Sequence, residues 1–266
     1  MSDSLSIVSG TIISTNSNIS SVAKNPATSP ELTLCLQKTV KSKREAVLVV
    51  LNNAVNTFGS NHNITFANSL GAEDMVLTDI ILREKLAINI FSLDTGRLPT
   101  ETYDLIAETE RTYQTKLNIF FPQAAAVEFY VRKNGINAFY ESIDLRKSCC
   151  AMRKVEPLQR ALKDKSAWIT GMRAEQSATR ADLPVQQYDE SNKLEKFNPL
   201  SDWTEQEVWA YIRMFNVPYN QLHDAFYPSI GCAPCTRAVA VGEDVRAGRW
   251  WWEDPLNKEC GLHVKK

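Results

Sequence analysis

The stretch ITFANSLGAEDMVL, residues 64–77, decides the fold. Its first part, Ile64 to Asn68, is rich in β-branched and aromatic residues and predicts a buried strand. Small residues at Ser69 and Gly71 predict a tight turn, and the apolar spacing after them predicts the start of a helix. A strand, a turn and a helix in this order can present backbone N–H groups to a phosphate, although a plain connecting turn has the same pattern.

Further apolar runs extend this unit into an α/β protein. Strands are predicted at 87–93, 117–121, 166–171 and, at a sheet edge, 194–198; helices are predicted at 101–113, 127–139 and 204–215, with two short helices between 31 and 57. The alternation favours a mainly parallel, twisted sheet flanked by helices. Because the turns at 69–74 and 94–97 both follow strands, we expect a ligand beyond the carboxyl ends of the strands.

Length and composition are typical of a soluble globular protein. The 266 residues carry 30 basic and 31 acidic side chains, and this net charge of −1 favours neither nucleic acid nor a membrane as a partner. Residues 1–30 are rich in Ser, Thr and Asn, lack the marks of a secretory or transit peptide, and are predicted to be a disordered tail. Residues 31–250 are predicted to form one α/β domain, and residues 251–266 a mobile C-terminal tail.

Four of the six cysteines form a set suited to metal binding. Cys149 and Cys150 are adjacent, whereas Cys232 and Cys235 form a CxxC pair. In a chain of this length they indicate ligation or redox work in a reducing compartment, the cytoplasm, in preference to a disulfide framework. Zinc usually takes two spaced pairs, and adjacent cysteines more easily hold different irons of a larger cluster, so a [4Fe–4S] cluster is favoured and zinc stays open. No role is assigned to Cys35.

Cys260 lies apart from this set, in the sequence ECGLH near the C-terminus. His263 and the lysines at 265 and 266 place positive charge near its thiol, which lowers the pKa of a cysteine and raises its thiolate fraction. A thiolate on a mobile tail can act as a nucleophile that reaches an active site and then meets a second protein. An inert terminal cysteine is the alternative.

Basic residues that follow the predicted strands and turns are candidates for anion binding. Arg173 comes directly after the run SAWITG, and Arg246 and Arg249 precede three consecutive tryptophans. Guanidinium groups bind phosphate or sulfate with two hydrogen bonds, while a solvated surface charge is the alternative for each arginine. His223 lies in a loop stretch and is interpreted as an ordinary hydrogen-bonded side chain more readily than as a ligand.

Seven motifs together resemble the bacterial assimilatory adenosine 5′-phosphosulfate (APS) reductases of the PAPS reductase family. They are SLGAEDMVL from residue 69, LDTGRLPTETYDL from 93, CCxxRKVxPL from 149, GMRAEQSxTR from 171, YPSIGCAPCTRAV from 227, RAGRWWWE from 246 and ECGLH from 259. Each motif alone is weak, but all of them in order with matching spacing are specific. The resemblance covers nearly everything from Ser69 to His263.

This resemblance implies a fold of the pyrophosphatase-loop, or adenine nucleotide alpha hydrolase-like, type. It implies a [4Fe–4S] cluster on Cys149, Cys150, Cys232 and Cys235. It also implies that Cys260 attacks the sulfur of APS, expels AMP and becomes an S-sulfocysteine, from which thioredoxin or glutaredoxin releases sulfite. A homo-oligomer is compatible with this scheme.

The resemblance further implies a set of substrate-binding residues. By position in the motifs these are Ser69, Gly71, Asp74, Asp94, Gly96, Lys154, Arg173, Arg246, Arg249 and His263. Ser69, Gly71 and Asp74 correspond to a nucleotide-phosphate loop. Lys154 corresponds to a lysine linked to both substrate and cluster.

Three alternatives stay open. A PAPS reductase shares the tail cysteine but generally lacks the four cluster cysteines, and a cluster-bearing enzyme could accept both substrates. An ATP pyrophosphatase or adenylyltransferase would use the turn at 69–74 on ATP and would not need Cys260. A zinc-stabilised nucleotide-binding module would contain zinc in place of iron and sulfide.

Overall fold

A computed structural model describes residues 33–59, 63–176 and 182–254. Within these ranges, helices separate most of the strands along the chain. The helices are α1 (Leu34–Phe58), α2 (Ala72–Arg83), α3 (Thr100–Tyr113), α4 (Ala124–Asn134), α5 (Ile143–Cys150), α6 (Glu156–Leu162) and α7 (Glu205–Phe215). The strands are β1 (Ile64–Ala67), β2 (Asn89–Leu93), β3 (Asn118–Phe120), β4 (Ala167–Ile169), β5 (Gln186–Asp189) and β6 (Leu194–Phe197).

The strands form one sheet in the order β3-β2-β1-β4-β6-β5. Adjacent strands are parallel except β5 and β6, which are antiparallel. In the centre, Phe66 of β1 is in register with Ile90 of β2 and with Ile169 of β4. The chain builds β2 and β3 on one side of β1 and then places β4 on the other. The order therefore reverses between β1 and β4, and sheets of this type bind ligands at such a reversal.

Consecutive strand residues pack into hydrophobic clusters on opposite faces of the sheet. Phe66, Ile90 and Ile169 belong to a cluster with side chains of α1, α2 and α7. Their neighbours Phe91 and Trp168 belong to a second cluster with side chains of α6. Because side chains alternate along a strand, helices cover both faces of the sheet. The predicted α/β fold, a mainly parallel sheet flanked by helices, is confirmed.

The strand at 194–198 was expected at a sheet edge, and that position is wrong. β6 lies between β4 and β5, and the edge strand is β5, which the sequence analysis did not identify. The burial of β5 alternates between exposed and half-buried residues, so the strand lacks the apolar run that reveals a buried strand. The strand β5 therefore forms because it pairs with β6, and its own composition does not predict it.

The two short helices expected between 31 and 57 are instead the single 25-residue helix α1. Thr33 caps it by accepting a hydrogen bond from the backbone N–H of Leu36, and no Gly or Pro interrupts it before Gly59. The helix expected to end at Phe139 ends at Asn134, because Gly135 adopts a φ of +101°. No helix of the described ranges, α1 included, is both long and apolar enough to span a membrane.

Candidate active site

A cavity of about 710 Å³ lies beyond the carboxyl ends of β1, β2 and β4. Asn68 and Ser69 after β1, Thr95 after β2, and Gly171 after β4 all line its wall. Its volume is within the range of sites that hold a nucleotide-sized ligand. The cavity coincides with the order reversal of the sheet, as the turns in the sequence predicted.

The loop from Ser69 to Gly71 shapes one wall of the cavity and leads into α2. Leu70 adopts a φ of +64°, and its backbone N–H is bound by the side chain of Asn68. This turn leaves Ser69 exposed and starts α2 directly after Gly71. The first N–H groups of a helix lack partners within the helix and carry positive partial charge, so this end of α2 suits an anion.

Asp74 holds this loop against the loop that follows β4. One of its carboxylate oxygens accepts hydrogen bonds from the backbone N–H and the hydroxyl of Ser69, each at 2.6 Å. The backbone of Gly171 also donates to Asp74, and a Cβ at Gly171 would overlap the carboxylate. Burial raises the pKa of Asp74 to about 6, although the hydrogen bonds from Ser69 act in the opposite direction.

Arg173 lies in the cavity wall, but its guanidinium is already engaged by protein carboxylates. It is only 5% exposed and pairs with Glu73 at 2.8 Å and with Glu175 at 2.7 Å. The pair with Glu73 joins the start of α2 to the segment after β4, in which both Arg173 and Glu175 lie. Substrate contact by Arg173 stays a prediction, and the structure gives this side chain a second task, which is to hold two loops of the cavity together.

Three other predicted cations, Lys154, Arg246 and Arg249, line the same cavity. The Arg249 guanidinium lies against the backbone of Gly231, where a Cβ would overlap it, and over the ring of Trp250 at 4.8 Å. These contacts fix a buried arginine at the wall of the cavity. Together with the amino end of α2, the three cations make this part of the cavity suitable for a multiply charged anion.

Asp94 and Gly96 build a turn beside the cavity and are not among its lining residues. Asp94 accepts hydrogen bonds from the backbone N–H of Gly96 at 2.7 Å and from the hydroxyl of Tyr103 at 3.0 Å. Gly96 has a φ of +69°, a conformation that glycine adopts without strain. The residue between them, Thr95, is the one that lines the cavity, so we interpret Asp94 and Gly96 as residues that shape the turn.

The four paired cysteines surround a second, smaller cavity. Cys149 and Cys150 end α5, and Cys232 and Cys235 flank a short 3₁₀ turn. The cavity is lined by these four thiols together with Arg97, Phe139, Arg146, Arg153, Lys154 and Pro234. All four are free thiols in the structure, and four basic side chains surround them.

The surroundings shift the acidity of these thiols in different directions. Burial, together with the neighbouring Cys232 and Cys150, raises the pKa of Cys235 to about 12. Burial acts the same way on Cys232, but the charge of Lys154 and a 3.2 Å contact with the Thr95 hydroxyl outweigh it, so the pKa of Cys232 is lowered. The basic side chains can therefore stabilise thiolates in an otherwise unfavourable, buried place.

Four thiolates are the ligand set of an iron–sulfur cluster, and a metal centre at this place stays a prediction. Four thiols converge on one cavity that basic residues surround, which is the chemistry that a cluster with a net negative charge requires. Within residues 33–59, 63–176 and 182–254, no group of three or more His, Cys, Asp or Glu side chains is arranged to hold one ion. The space between the thiols is small, about 20 Å³, so the assignment rests on the donor set and not on volume.

Lys154 is the residue that connects the two cavities, because it lines both of them. It lies on a π-helical turn, Ala151–Val155, between α5 and α6, and such turns often occur at functional sites. The sequence motif had suggested that this lysine serves both substrate and cluster. Its place in the structure agrees with that interpretation, while both roles stay predictions.

His223, interpreted from the sequence as a hydrogen-bonded loop side chain, also lies in the wall of the larger cavity. It is buried, and its ring packs edge-on against Trp209 at 5.1 Å. Burial lowers its pKa, and one ring nitrogen binds the backbone of Tyr227, whereas Nε2 has no hydrogen-bond partner within the described residues. A loop histidine has no spacing that would identify it from sequence. Cys260 and His263 lie outside the described residues.

The fold is of the adenine nucleotide alpha hydrolase-like type, and four thiols lie beside its larger cavity at the carboxyl ends of the strands. Residues 63–238 match the family described as phosphoadenosine phosphosulfate reductase domain. The chain belongs to the phosphoadenosine phosphosulfate reductase family.

Relatives and solved structures agree with this membership. The adenosine 5′-phosphosulfate reductase of Allochromatium vinosum is 58% identical over 228 residues, 86% of this chain and 88% of the relative. That of Burkholderia cepacia is 56% identical over 207 residues, 77% of this chain and 83% of the relative. The crystal structure of the Candida auris phosphoadenylyl-sulfate reductase, a phosphate complex, is 32% identical and superposes with a TM-score of 0.61, covering 79% of this chain and 100% of that one. The FMN adenylyltransferase of Candida glabrata, 15% identical with a TM-score of 0.52 over 87% of this chain and 79% of its own, shares the fold.

Proposed function

We propose that the protein reduces adenosine 5′-phosphosulfate to sulfite and AMP in sulfate assimilation. The observation that carries this proposal is the placement of Lys154 between a nucleotide-sized cavity and four converging thiols. Relatives with the name adenosine 5′-phosphosulfate reductase, 58% and 56% identical, support the choice of substrate. A PAPS reductase of the same family is the alternative.

In this proposal the cavity binds APS through its charged groups. The amino end of α2 and the loop from Ser69 to Asp74 take the nucleotide phosphate, while Lys154, Arg246 and Arg249 surround the sulfate. Cations placed around the phosphosulfate also stabilise the negative charge that AMP gains as it leaves. Arg173, through Glu73 and Glu175, keeps the loops of the cavity in place.

Cys260 is the nucleophile in the proposed reaction. Its thiolate attacks the sulfur of APS, the bond between that sulfur and the phosphate oxygen breaks, and AMP leaves with the electron pair. The product on the protein is an S-sulfocysteine. A thiolate of thioredoxin or glutaredoxin then attacks the Cys260 sulfur, sulfite leaves, and the second thiol of the reductant resolves the mixed disulfide and restores Cys260.

Cys149, Cys150, Cys232 and Cys235 would hold a [4Fe–4S] cluster. When bound, such a cluster supplies a fixed charge distribution beside the substrate and need not exchange electrons in this scheme. Arg97 and Arg153 balance the charge of the thiolates, whereas the charge of Arg146 is already neutralised by Glu253. A reducing setting such as the cytoplasm would keep both these thiols and Cys260 in the required state.

The decisive test mixes purified protein with APS in the absence of a reductant and measures its intact mass. We expect the gain of one SO₃ group, mapped to Cys260 and removed by thioredoxin. Cys260→Ser should bind APS and form no adduct, while the matched control Cys35→Ser, at an exposed free thiol of α1, should behave as the wild type. Sulfite release by Cys260→Ser at the wild-type rate would overturn the assignment.

Two measurements beside this test separate the alternatives. The same experiment with PAPS, which carries an added 3′-phosphate, distinguishes an APS from a PAPS reductase by which substrate gives the adduct at lower concentration. Analysis of iron, sulfide and zinc tests the cluster, because a zinc-stabilised module would contain zinc and no sulfide. Hydrolysis of ATP without any adduct would favour an ATP pyrophosphatase.

A further inference from the structure

A buried ion pair connects the helix of the adjacent cysteines to the end of the described chain. Arg146 of α5 donates two hydrogen bonds to Glu253, from Nε at 2.9 Å and from a terminal nitrogen at 2.6 Å. The side chains are only 1% and 4% exposed. Arg146 precedes Cys149 by one helical turn, so the pair joins the cysteine helix to a residue that lies seven positions before Cys260.

Trp250 extends this connection to the substrate cavity. The guanidinium groups of Arg146 and Arg249 each lie 4.8 Å from the centre of its ring, and Arg249 lines the larger cavity. The Trp250 backbone N–H donates to the carbonyl of Cys235, and its own carbonyl accepts from the N–H of Glu253. One tryptophan therefore contacts the cysteine site, a substrate-site arginine and the start of the C-terminal segment.

Trp250 has an unfavourable backbone conformation, which indicates that the surrounding contacts hold it in place. Its φ of +41° is unfavourable for a large side chain, and yet the residue is almost fully buried. Such a conformation persists only where the surrounding structure enforces it, and this is common where geometry matters for function. A buried ion pair usually adds little net stability compared with apolar packing, but its two parallel hydrogen bonds fix orientation.

We propose that the Arg146–Glu253 pair is a positioning device that fixes Glu253, the point in the fold from which the sequence continues toward Cys260. This inference rests on the proposed function, in which Cys260 is the nucleophile. Seven residues can span at most about 25 Å, so the location of Glu253 limits where the thiol can reach. A displaced starting point would misplace the thiol relative to the sulfur of APS, and a misplacement of about 1 Å can slow a reaction up to about a hundredfold.

The experiment measures adduct formation on Cys260 by rapid quenching and intact mass, at saturating APS. In Glu253→Gln, which keeps the shape and removes the charge, we expect the rate to fall by about ten- to a hundredfold. The APS dissociation constant should change by less than about threefold, and alkylation of Cys260 by iodoacetamide should be unchanged, because neither needs the thiol at the sulfur. The matched control is Glu110→Gln, which breaks an exposed pair with Lys116.

A second variant keeps the test decisive if Glu253→Gln folds poorly. Arg146→Met with Glu253→Leu removes both charges and leaves no unpaired one, and it should show the same slow step with full APS binding. Adduct formation at the wild-type rate in either folded variant would overturn the proposal, as would a loss that vanishes at saturating APS. Wild-type protein that forms no adduct would instead contradict the proposed function.

Discussion

Ser69 donates both its backbone N–H and its hydroxyl to the same oxygen of Asp74, each at 2.6 Å. The six residues 69–74 thereby form a hydrogen-bonded ring at the amino end of α2, and Gly171 donates to the same carboxylate from the other side of the order reversal. The carboxylate acts as the buried centre around which two cavity loops are built. Burial removes water from this carboxylate, and three hydrogen bonds partly replace that water and so stabilise its charged form.

The first prediction concerns the pH dependence of stability. Burial raises the pKa of Asp74 from 3.8 to about 6, so the folded state binds more protons than the unfolded state between these values. The contribution of this group therefore favours folding below about pH 4 and is lost as the pH rises to about 6. Asp74→Asn removes this titration. The difference in free energy of unfolding, variant minus wild type, should therefore rise by about 3 kcal/mol between about pH 4 and 7.

Chemical denaturation across this range checks the prediction of the pH dependence. Asp104→Asn, which removes a carboxylate from the exposed face of α3, is the control and should give a difference that does not depend on pH in this way. A difference between Asp74→Asn and wild type that stays flat from pH 4 to 7 would mean that Asp74 is solvated. The role of Asp74 as a buried centre would then be wrong.

The second prediction concerns the close approach of Gly231 to Arg249. A Cβ at position 231 would overlap the Arg249 guanidinium, so Gly231→Ala should displace this arginine from the cavity wall. A charge-assisted contact contributes about 1.5–3 kcal/mol, and its loss should weaken APS binding by roughly ten- to a hundredfold. Calorimetric titration with APS measures the change. Gly135→Ala, at a positive φ with open space around it, is the control for backbone strain and should leave binding unchanged.

Much of this site could be predicted from sequence because the motifs sit directly after strands. The Ser69 loop and the four paired cysteines were singled out from residue type and spacing, and Lys154 from the family resemblance; the parallel sheet brings the loops after its strands together at one edge. Those contacts follow from topology, since the carboxyl ends of parallel strands share an edge. No three-dimensional detail was needed for them.

Other parts of the site depend on contacts between residues far apart in sequence, which no local pattern contains. Arg173 pairs with Glu73, which lies 100 positions earlier, and that engagement is visible only once α2 and the segment after β4 lie together. The Arg146–Glu253 pair spans more than a hundred positions and was likewise missed. A local pattern gives the face on which a residue lies but not its partner across the fold.

The third prediction concerns a buried polar network beneath the cavity. Asp79, which is fully buried, binds Arg83 at 2.6 Å, Tyr113 at 2.6 Å and Tyr211 at 2.8 Å. Burial, with the Asp79 carboxylate, raises the pKa of both tyrosines. Asp79→Ala leaves two buried hydroxyls without their acceptor and should lower the free energy of unfolding by about 3 kcal/mol or more.

Urea denaturation of Asp79→Ala tests this network. Lys116→Ala, which removes the exposed partner of Glu110, should cost less than about 1 kcal/mol and serves as the control. A loss of the same small size in Asp79→Ala would show that α2, α3 and α7 are joined by apolar packing alone. The network would then have no measurable share in supporting the cavity.

The last prediction concerns the contribution of the Lys154 charge, which lies between the two cavities, to the affinity for APS. Lys154→Met keeps the length and apolar part of the side chain but removes its charge, so APS binding should weaken by roughly ten- to a hundredfold. Lys147→Met, on the exposed face of α5, removes the same charge from the same region and should change binding by less than about threefold. Equal losses in both variants would mean that only long-range attraction is at work. A loss in Lys154→Met alone, retained at high salt, would show that the lysine contacts the anion directly, because a buried contact is screened far less than a surface charge.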